Sequence, residues 1–169
     1  MEYPTPSLIA LHASACVTPG GALLFLGHGG AGKSTAVGLL AERFPTLADD
    51  AVFLLPQADG SWQVACGDRD AFAGPVAQEA VAGLNWVLLR VVLRLFRAPK
   101  PRLVPIGPRE SCRYLTDALF EIPPQRNTGV EVKRHLFAAA AEVARTVPGW
   151  ELYFGLDRST SELLMHSFA

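Results

Sequence analysis

The chain has 169 residues, half of them hydrophobic, and a formal net charge of -1. This length is typical of one domain that buries a core without disulfides, and we expect a single domain over residues 1–169. The near-neutral charge lacks the basic excess of a nucleic-acid-binding protein, so nucleic acid is not an expected partner. Cys16, Cys66 and Cys112 show no Cys-x-x-Cys spacing and indicate neither a disulfide framework nor a zinc site.

No targeting or membrane signal is predicted. The first residues lack the basic and apolar regions of a secretory signal. No apolar run reaches the roughly 18 residues of a membrane-spanning helix. We therefore expect a cytoplasmic protein that acts without a membrane partner.

The chain begins with a predicted lead-in and hairpin. Residues 1–7 contain two prolines and predict a short extended segment. Residues 8–17 predict one strand, because alternate positions are apolar while the other face is more polar and carries His12. Residues 18–21, Thr-Pro-Gly-Gly, predict a turn that returns the chain as an antiparallel neighbour.

A phosphate-binding motif follows the next strand. Residues 22–26 are continuously apolar, as in a strand covered on both faces. Residues 27–35, GHGGAGKST, then fit the P-loop pattern G-x-x-x-x-G-K-[ST]. Residues 34–44 predict an amphipathic helix, with Val37, Leu40, Ala41 and Phe44 on the apolar face, closed by Pro45. Strand, glycine-rich loop and helix together predict a site for a nucleoside triphosphate.

The loop residues have distinct predicted roles. Glycines let the backbone N-H groups approach a polyphosphate closely, and the helix dipole adds to the attraction. Lys33 would reach the β and γ phosphates, and the Ser34 hydroxyl would bind magnesium. The expected nucleotide-binding residues are Gly27, Gly29, Gly30, Ala31, Gly32, Lys33, Ser34 and Thr35.

Two adjacent carboxylates form the second informative segment. Asp49 and Asp50 lie between apolar residues of a predicted strand over residues 46–55. A carboxylate after the P-loop helix can hold magnesium directly or through water, and Asp50 with Ser34 makes the expected metal site. Because adjacent strand residues point to opposite faces, at most one Asp should face the phosphates unless a bulge intervenes. The alternative is a solvated acidic turn, against which the apolar flanks argue.

The middle of the chain predicts further strands. Residues 55–66 predict a hairpin that turns at Asp59-Gly60, and residues 67–83 predict a loop in which Arg69 and Asp70 are substrate-contact candidates by position alone. Residues 86–97 fit either a helix or a strand. Their β-branched content favours a half-buried edge strand.

The last part of the chain predicts alternating helices and strands. The expected elements are a short strand over 102–106 pairing back, a helix over 108–120 with Cys112, Leu115, Ala118 and Leu119 inward, a loop over 122–129, an Ala-rich helix over 132–147, a strand over 150–154 and a helix over 159–166. The predicted class is α/β, with a mixed sheet flanked by helices.

Three segments together resemble the catalytic domain of HPr kinase/phosphorylase. They are residues 11–17 (LHASACV), 24–35 (LFLGHGGAGKST) and 47–52 (LADDAV), which match that family in order and spacing. The chain is similar to compact members that lack the N-terminal regulatory domain. The resemblance implies the P-loop kinase core that this family shares with phosphoenolpyruvate carboxykinase.

The resemblance also implies a function. A kinase of this type uses ATP and Mg²⁺ to phosphorylate a serine hydroxyl of a peptide or small protein, and such proteins can be homo-oligomers. By position, one of Asp49 and Asp50 would be the base and the other would serve the magnesium shell. His12 would hold a carboxylate or a phosphate, and Lys33 completes the implied catalytic set. The founding enzymes carry an E-x-R-G-x-G signature near the substrate, which is absent here. The resemblance therefore does not imply their carrier-protein substrate, their reverse phosphorolysis reaction or their hexameric assembly.

Two other functions stay open at this point. One is a nucleotide-binding regulatory or assembly module without chemistry, and the other is a kinase for a serine-like metabolite. The Asp pair with His12 favours a kinase, since a pure binding module needs no base beside the metal. A nucleoside-monophosphate kinase is disfavoured because no Arg-rich lid segment is evident. His28, at a variable position of the motif, is expected to be incidental.

Overall fold

A computed structural model describes residues 8–68 and 81–168. The predicted lead-in over residues 1–7 and the loop candidates Arg69 and Asp70 lie outside these residues. Strands and helices follow each other in the order β1 (Ile9–His12), β2 (Ser14–Thr18), β3 (Gly21–Leu26), α1 (Lys33–Leu40), β4 (Thr46–Ala48), β5 (Ala51–Pro56), β6 (Trp62–Cys66), β7 (Val87–Arg97), β8 (Arg102–Ile106), α2 (Pro108–Phe120), α3 (Pro123–Arg126), α4 (Val130–Thr146), β9 (Gly149–Phe154) and α5 (Ser159–Phe168).

The strands form one mixed sheet. Its main path is β1-β5-β6-β7-β3-β2-β4, and β9 pairs with both β7 and β8. β7 runs parallel to β3 and β9, whereas the other pairs are antiparallel. The predicted α/β class with a mixed sheet flanked by helices is confirmed. No helix of the described ranges is both long and apolar enough to cross a lipid bilayer.

The P-loop strand β3 lies inside the sheet, as predicted. Its residues alternate between two hydrophobic clusters on opposite faces of the sheet. Leu24 and Leu26 pack in the cluster that includes α2 and α4, and Leu23 and Phe25 pack in the cluster that includes α1 and α5. Burial on both faces explains why this strand is continuously apolar.

β7 is a central strand, so the predicted edge position is wrong. It pairs with β6 near its start and then lies between β3 and β9. Residues 91–95 are all buried, including Arg94 at 7% exposure. The Arg94 guanidinium lies 4.9 Å from the Tyr114 ring centroid and 5.7 Å from that of Phe96. These aromatic faces let a charged residue occupy an interior strand.

The predicted strand over residues 8–17 is bent. It divides into β1 and β2 at Ala13, and the partner strand divides into β4 and β5 at Asp49-Asp50. β1 pairs with β5 and β2 pairs with β4, both antiparallel. At the bend the Ala13 N-H donates to the Asp50 carbonyl at 3.3 Å. The two segments therefore form one antiparallel pair with a common bend.

Several element boundaries differ from the predictions. α1 ends at Leu40 and continues as a turn, in which the Phe44 N-H donates to the Leu40 carbonyl; Ala41 is exposed, and Ala36 takes its place in the core. β8 pairs with β9 and not with β7, because β9 already occupies that edge of β7. The predicted loop over residues 122–129 contains the short helix α3.

Helix α2 has the predicted bounds, and its apolar face packs inward. Leu115, Ala118 and Leu119 are buried, whereas Cys112 is partly exposed. The buried Gln125 then fixes α3 against this layer. Its side-chain amide donates to the carbonyls of Ala10 in β1 and Leu119 in α2, at 3.0 and 2.6 Å.

Replacing Gln125 with Ala should destabilise the fold, because both hydrogen bonds lose their donor. We expect the free energy of unfolding to fall by about 1–3 kcal/mol, measured by chemical denaturation. The control is Gln57→Ala, which removes one 3.4 Å bond to the Leu55 carbonyl and should change stability by less than about 0.5 kcal/mol. Equal effects of the two substitutions would contradict the role of Gln125.

Candidate functional site

The P-loop adopts a backbone that requires glycine. Gly30 and Gly32 have φ angles of +81° and +99°, and Gly32 precedes the first turn of α1. A Cβ atom on Gly32 would lie 2.9 Å from the Phe154 ring and 3.3 Å from the Arg97 guanidinium. At Gly32 the loop therefore passes Phe154 and Arg97 with no room for a side chain. The first residues of α1 line an open cleft.

Lys33 lies inside this loop. Its side chain is buried, and its ammonium group donates to the carbonyls of Gly27 and His28 at 2.5 and 3.2 Å. The positive charge thus lies at the floor of the loop, where a phosphate group would approach.

A cleft of about 450 Å³ opens above the loop. It brings together residues from the three motif segments, which lie far apart in sequence. Gly27 and Ala31 do not line it: Gly27 is buried below the loop, where a Cβ would meet the Ala31 side chain at 2.6 Å. The lining residues are His12, Gly29, Gly30, Gly32, Lys33, Ser34, Thr35, Asp49, Asp50 and Arg97.

Asp49 and Asp50 lie side by side at the bend between β4 and β5, so the rule of opposite faces does not apply to them. The register of the neighbouring β2-β4 pair shifts between Ala15 and Cys16, whereas the two aspartates themselves lie outside both strands. The buried Ser14 hydroxyl donates to the Asp49 carbonyl at 2.5 Å and lies 3.5 Å from its carboxylate. Both aspartates are exposed and both line the cleft.

His12 joins the cleft to helix α2. Its Nδ1 lies 3.4 Å from the Asp50 carboxylate and 3.0 Å from the Asp50 carbonyl, and its Nε2 lies 3.4 Å from the Glu121 carboxylate. The His12 side chain is only 13% exposed, whereas that of Asp50 is 61% exposed. The mostly buried imidazole thus contacts the exposed Asp50 carboxylate of the cleft.

The structure adds residues that the sequence reasoning missed. Arg97 reaches the cleft because β7 is parallel to β3, so both strands end at the same edge of the sheet. Glu121 follows α2 and contacts His28 as well as His12, with 3.3 Å between its carboxylate and the His28 Nδ1. His28 is expected from the sequence to be incidental, and its side chain is 67% exposed at this contact. Arg97 could have been found as the charged end of a strand, but no sequence signal links Glu121 to His12.

The cleft suits magnesium that arrives with a nucleotide. Across the described ranges, no group of three or more His, Cys, Asp or Glu side chains could hold a metal ion. Magnesium is usually bound by one or two carboxylates together with substrate phosphates. Ser34 and Asp50, which both line the cleft, fit that mode.

The comparisons with known proteins give a family. A model described as SynChlorMet cassette protein ScmC matches residues 5–159. The chain belongs to the ScmC family. Among solved structures, this ScmC-family chain is similar to the Hpr(Ser) kinase/phosphatase from Coxiella burnetii, with 13% identity, a TM-score of 0.48, and coverage of 93% of this chain and 86% of that one. Among curated proteins, none matches the sequence.

The family differs from the one that the motifs resemble. ScmC is a family distinct from HPr kinase/phosphorylase, and at 13% identity the structural likeness concerns the fold alone.

Replacing Gly32 with Ala should weaken nucleotide binding. A residue with a Cβ resists this φ by about 1–3 kcal/mol, so we expect the affinity for a fluorescent ATP analogue with Mg²⁺ to fall about tenfold or more. The control is Gly38→Ala in the same helix, where a Cβ meets nothing within 4 Å and helix propensity improves. Unchanged binding by the Gly32 variant would contradict the assigned loop geometry.

Proposed function

We propose that the protein transfers the γ-phosphoryl group of ATP to a serine hydroxyl of a peptide or small protein, with Mg²⁺. The observation that carries this proposal is that Asp49, Asp50 and His12 line the cleft above the P-loop. A module that only binds a nucleotide needs no carboxylate pair there. The resemblance to HPr kinase/phosphorylase in the same three segments supports serine as the acceptor.

The reaction assigns a task to each group. The acceptor oxygen attacks the γ-phosphorus, the bond from phosphorus to the bridging oxygen of ADP breaks, and one of Asp49 and Asp50 accepts the hydroxyl proton. Such a base must come within about 3 Å of the hydroxyl. The other aspartate and Ser34 would hold magnesium, which neutralises phosphate charge when it is bound.

Positive charge at the cleft would stabilise the transferring group. Lys33 lies at the floor of the loop, and Arg97 lines the cleft. Because phosphoryl transfer depends mainly on positioning and charge neutralisation, these two groups would supply much of the rate. His12, held by Glu121, would keep the Asp50 carboxylate in place.

Two further observations support the proposed setting of the reaction. Cys16, Cys66 and Cys112 are all free thiols, which suits the reducing cytoplasm where we place the protein. The word cassette in the family's description supports a search for the acceptor among proteins encoded beside this one.

Asp49→Asn and Asp50→Asn should each abolish transfer while ATP affinity changes little. At the position of the base an amide cannot accept the proton, and at the other position it is a weaker, uncharged ligand for magnesium, so we expect each substitution to lower the rate at least about 100-fold. The assay is incubation with Mg-ATP and the neighbouring gene products, followed by mass spectrometry for an added phosphoryl group. Asp117→Asn, on the solvent side of α2, is the control. Full activity in both variants would contradict the catalytic assignment of the two aspartates. Tight ATP binding without transfer by the wild type would favour an assembly module.

Arg97→Gln should slow transfer more than it weakens nucleotide binding. We expect the rate to fall by about 10²-fold or more, as for other groups that stabilise developing charge, with a smaller change in nucleotide Kd. Arg90→Gln is the matched control, since Arg90 is an exposed arginine of the same strand that does not line the cleft. Equal rates for the two variants would remove Arg97 from the mechanism.

A further inference from the structure

A second cleft lies beside the nucleotide cleft. Its volume is about 760 Å³. One wall is the segment that follows β6, which lies against the start of β5 because the Gly67 N-H donates to the Ala51 carbonyl at 2.8 Å. The opposite wall is the start of α3. The lining residues are Asp50, Ala51, Cys66, Gly67, Asp68, Pro123 and Pro124.

Asp50 is the one residue that lines both clefts among the described residues. An acceptor group bound in the second cleft would therefore lie next to the Asp50 carboxylate, and so would a phosphoryl group bound in the nucleotide cleft. Both walls are fixed in place. A Cβ on Gly67 would lie 2.9 Å from the Val52 backbone, so only glycine fits there, and Gln125 ties α3 to β1 and α2.

The described residues that line the two clefts differ in charge. Lys33 and Arg97 line the nucleotide cleft together with aspartates, whereas the charged residues that line the second cleft in the described ranges are Asp50 and Asp68. Among the described residues, the second cleft is thus lined by carboxylates without a lysine or arginine. Its carboxylates repel a polyphosphate and attract a cationic group. The other described residues that line this cleft carry no charge.

We propose that the second cleft binds the phosphoryl acceptor, and that this acceptor is a peptide segment with its hydroxyl residue next to a lysine or arginine. The inference rests on the proposed function and adds the class of substrate. The cleft has the size of sites that take ligands of about 300–1,000 Å³, which is more than a single serine-like metabolite would fill. The acceptor hydroxyl lies at Asp50, loses its proton to a carboxylate there and takes the phosphoryl group from ATP, which leaves as ADP.

The first test measures peptide binding. The probes are two fluorescent peptides of Ala and Gly with one Ser, flanked by Arg in one and by Glu in the other, titrated in Mg-ADP and followed by anisotropy. We expect the Arg peptide to bind about tenfold or more tightly. Asp68→Lys should reverse the preference, whereas Asp117→Lys, a charge change on α2 outside the cleft, should leave it intact. Equal affinities in the wild type, or no effect of Asp68→Lys, would overturn the proposal.

The second test locates the bound peptide with a native thiol. Cys66 is exposed in the cleft, and Cys16 is buried with its pKa raised to about 12 by loss of hydration. In a Cys112→Ser background, the Arg peptide should slow the reaction of Cys66 with a maleimide several-fold, and Mg-ADP alone should not. A labelling rate that the peptide leaves unchanged would place the peptide elsewhere and reject the cleft.

Phosphorylation of the same peptides separates this proposal from the kinase assignment. If the Arg peptide protects Cys66 but is never phosphorylated, the kinase function is contradicted, while the preference of the cleft for a basic peptide is supported. Both peptides phosphorylated equally, with no effect of Asp68→Lys, would support the kinase function and overturn the substrate class.

Discussion

The bend shared by two long antiparallel segments is the feature on which the candidate site depends. β1-β2 and β4-β5 pair along their length, and both interrupt their ladders at the same point. There the Ala13 N-H and the Ser14 hydroxyl donate to the carbonyls of Asp50 and Asp49. These bonds satisfy backbone groups that the ladder leaves unpaired. As a result two adjacent carboxylates face one cleft, which a regular strand would not allow.

Charge is separated across this bend over a short distance. Lys33 and Arg97 lie on the side of the P-loop, and Asp68 lies on the side of the second cleft, with Asp50 between them. An anion and a cation would therefore be attracted to opposite sides of one carboxylate. Complementary potentials of this kind fix the orientation of partners more than they raise affinity. In the proposed reaction, the nucleotide and the acceptor would approach the Asp50 carboxylate from different clefts.

One side chain at the end of helix α2 contacts both His12, beside the aspartates, and His28, in the P-loop. Glu121 contacts His12, which holds Asp50, and also contacts His28 at the tip of the P-loop. Glu121 is 25% exposed and His12 13% exposed, so the contact between these two side chains is partly shielded from solvent. Shielding strengthens electrostatic contacts relative to those on an open surface. The position of α2, fixed by its apolar face against the sheet, thereby bears on the position of the carboxylates.

The sequence alone determined the P-loop, the class of fold and most elements, because these depend on local patterns. Apolar runs, alternation and the glycine spacing identify β3, the P-loop and α2 without knowledge of their neighbours. The central place of β7, the partner of β8 and the bend at Asp49-Asp50 depend on pairing between distant segments, which no local pattern records. The same holds for the site: Lys33 and Asp50 could be predicted from motifs, whereas the contacts of Glu121 join residues about a hundred positions apart. Only the tertiary structure decided those, because packing brings together side chains whose spacing in sequence carries no period.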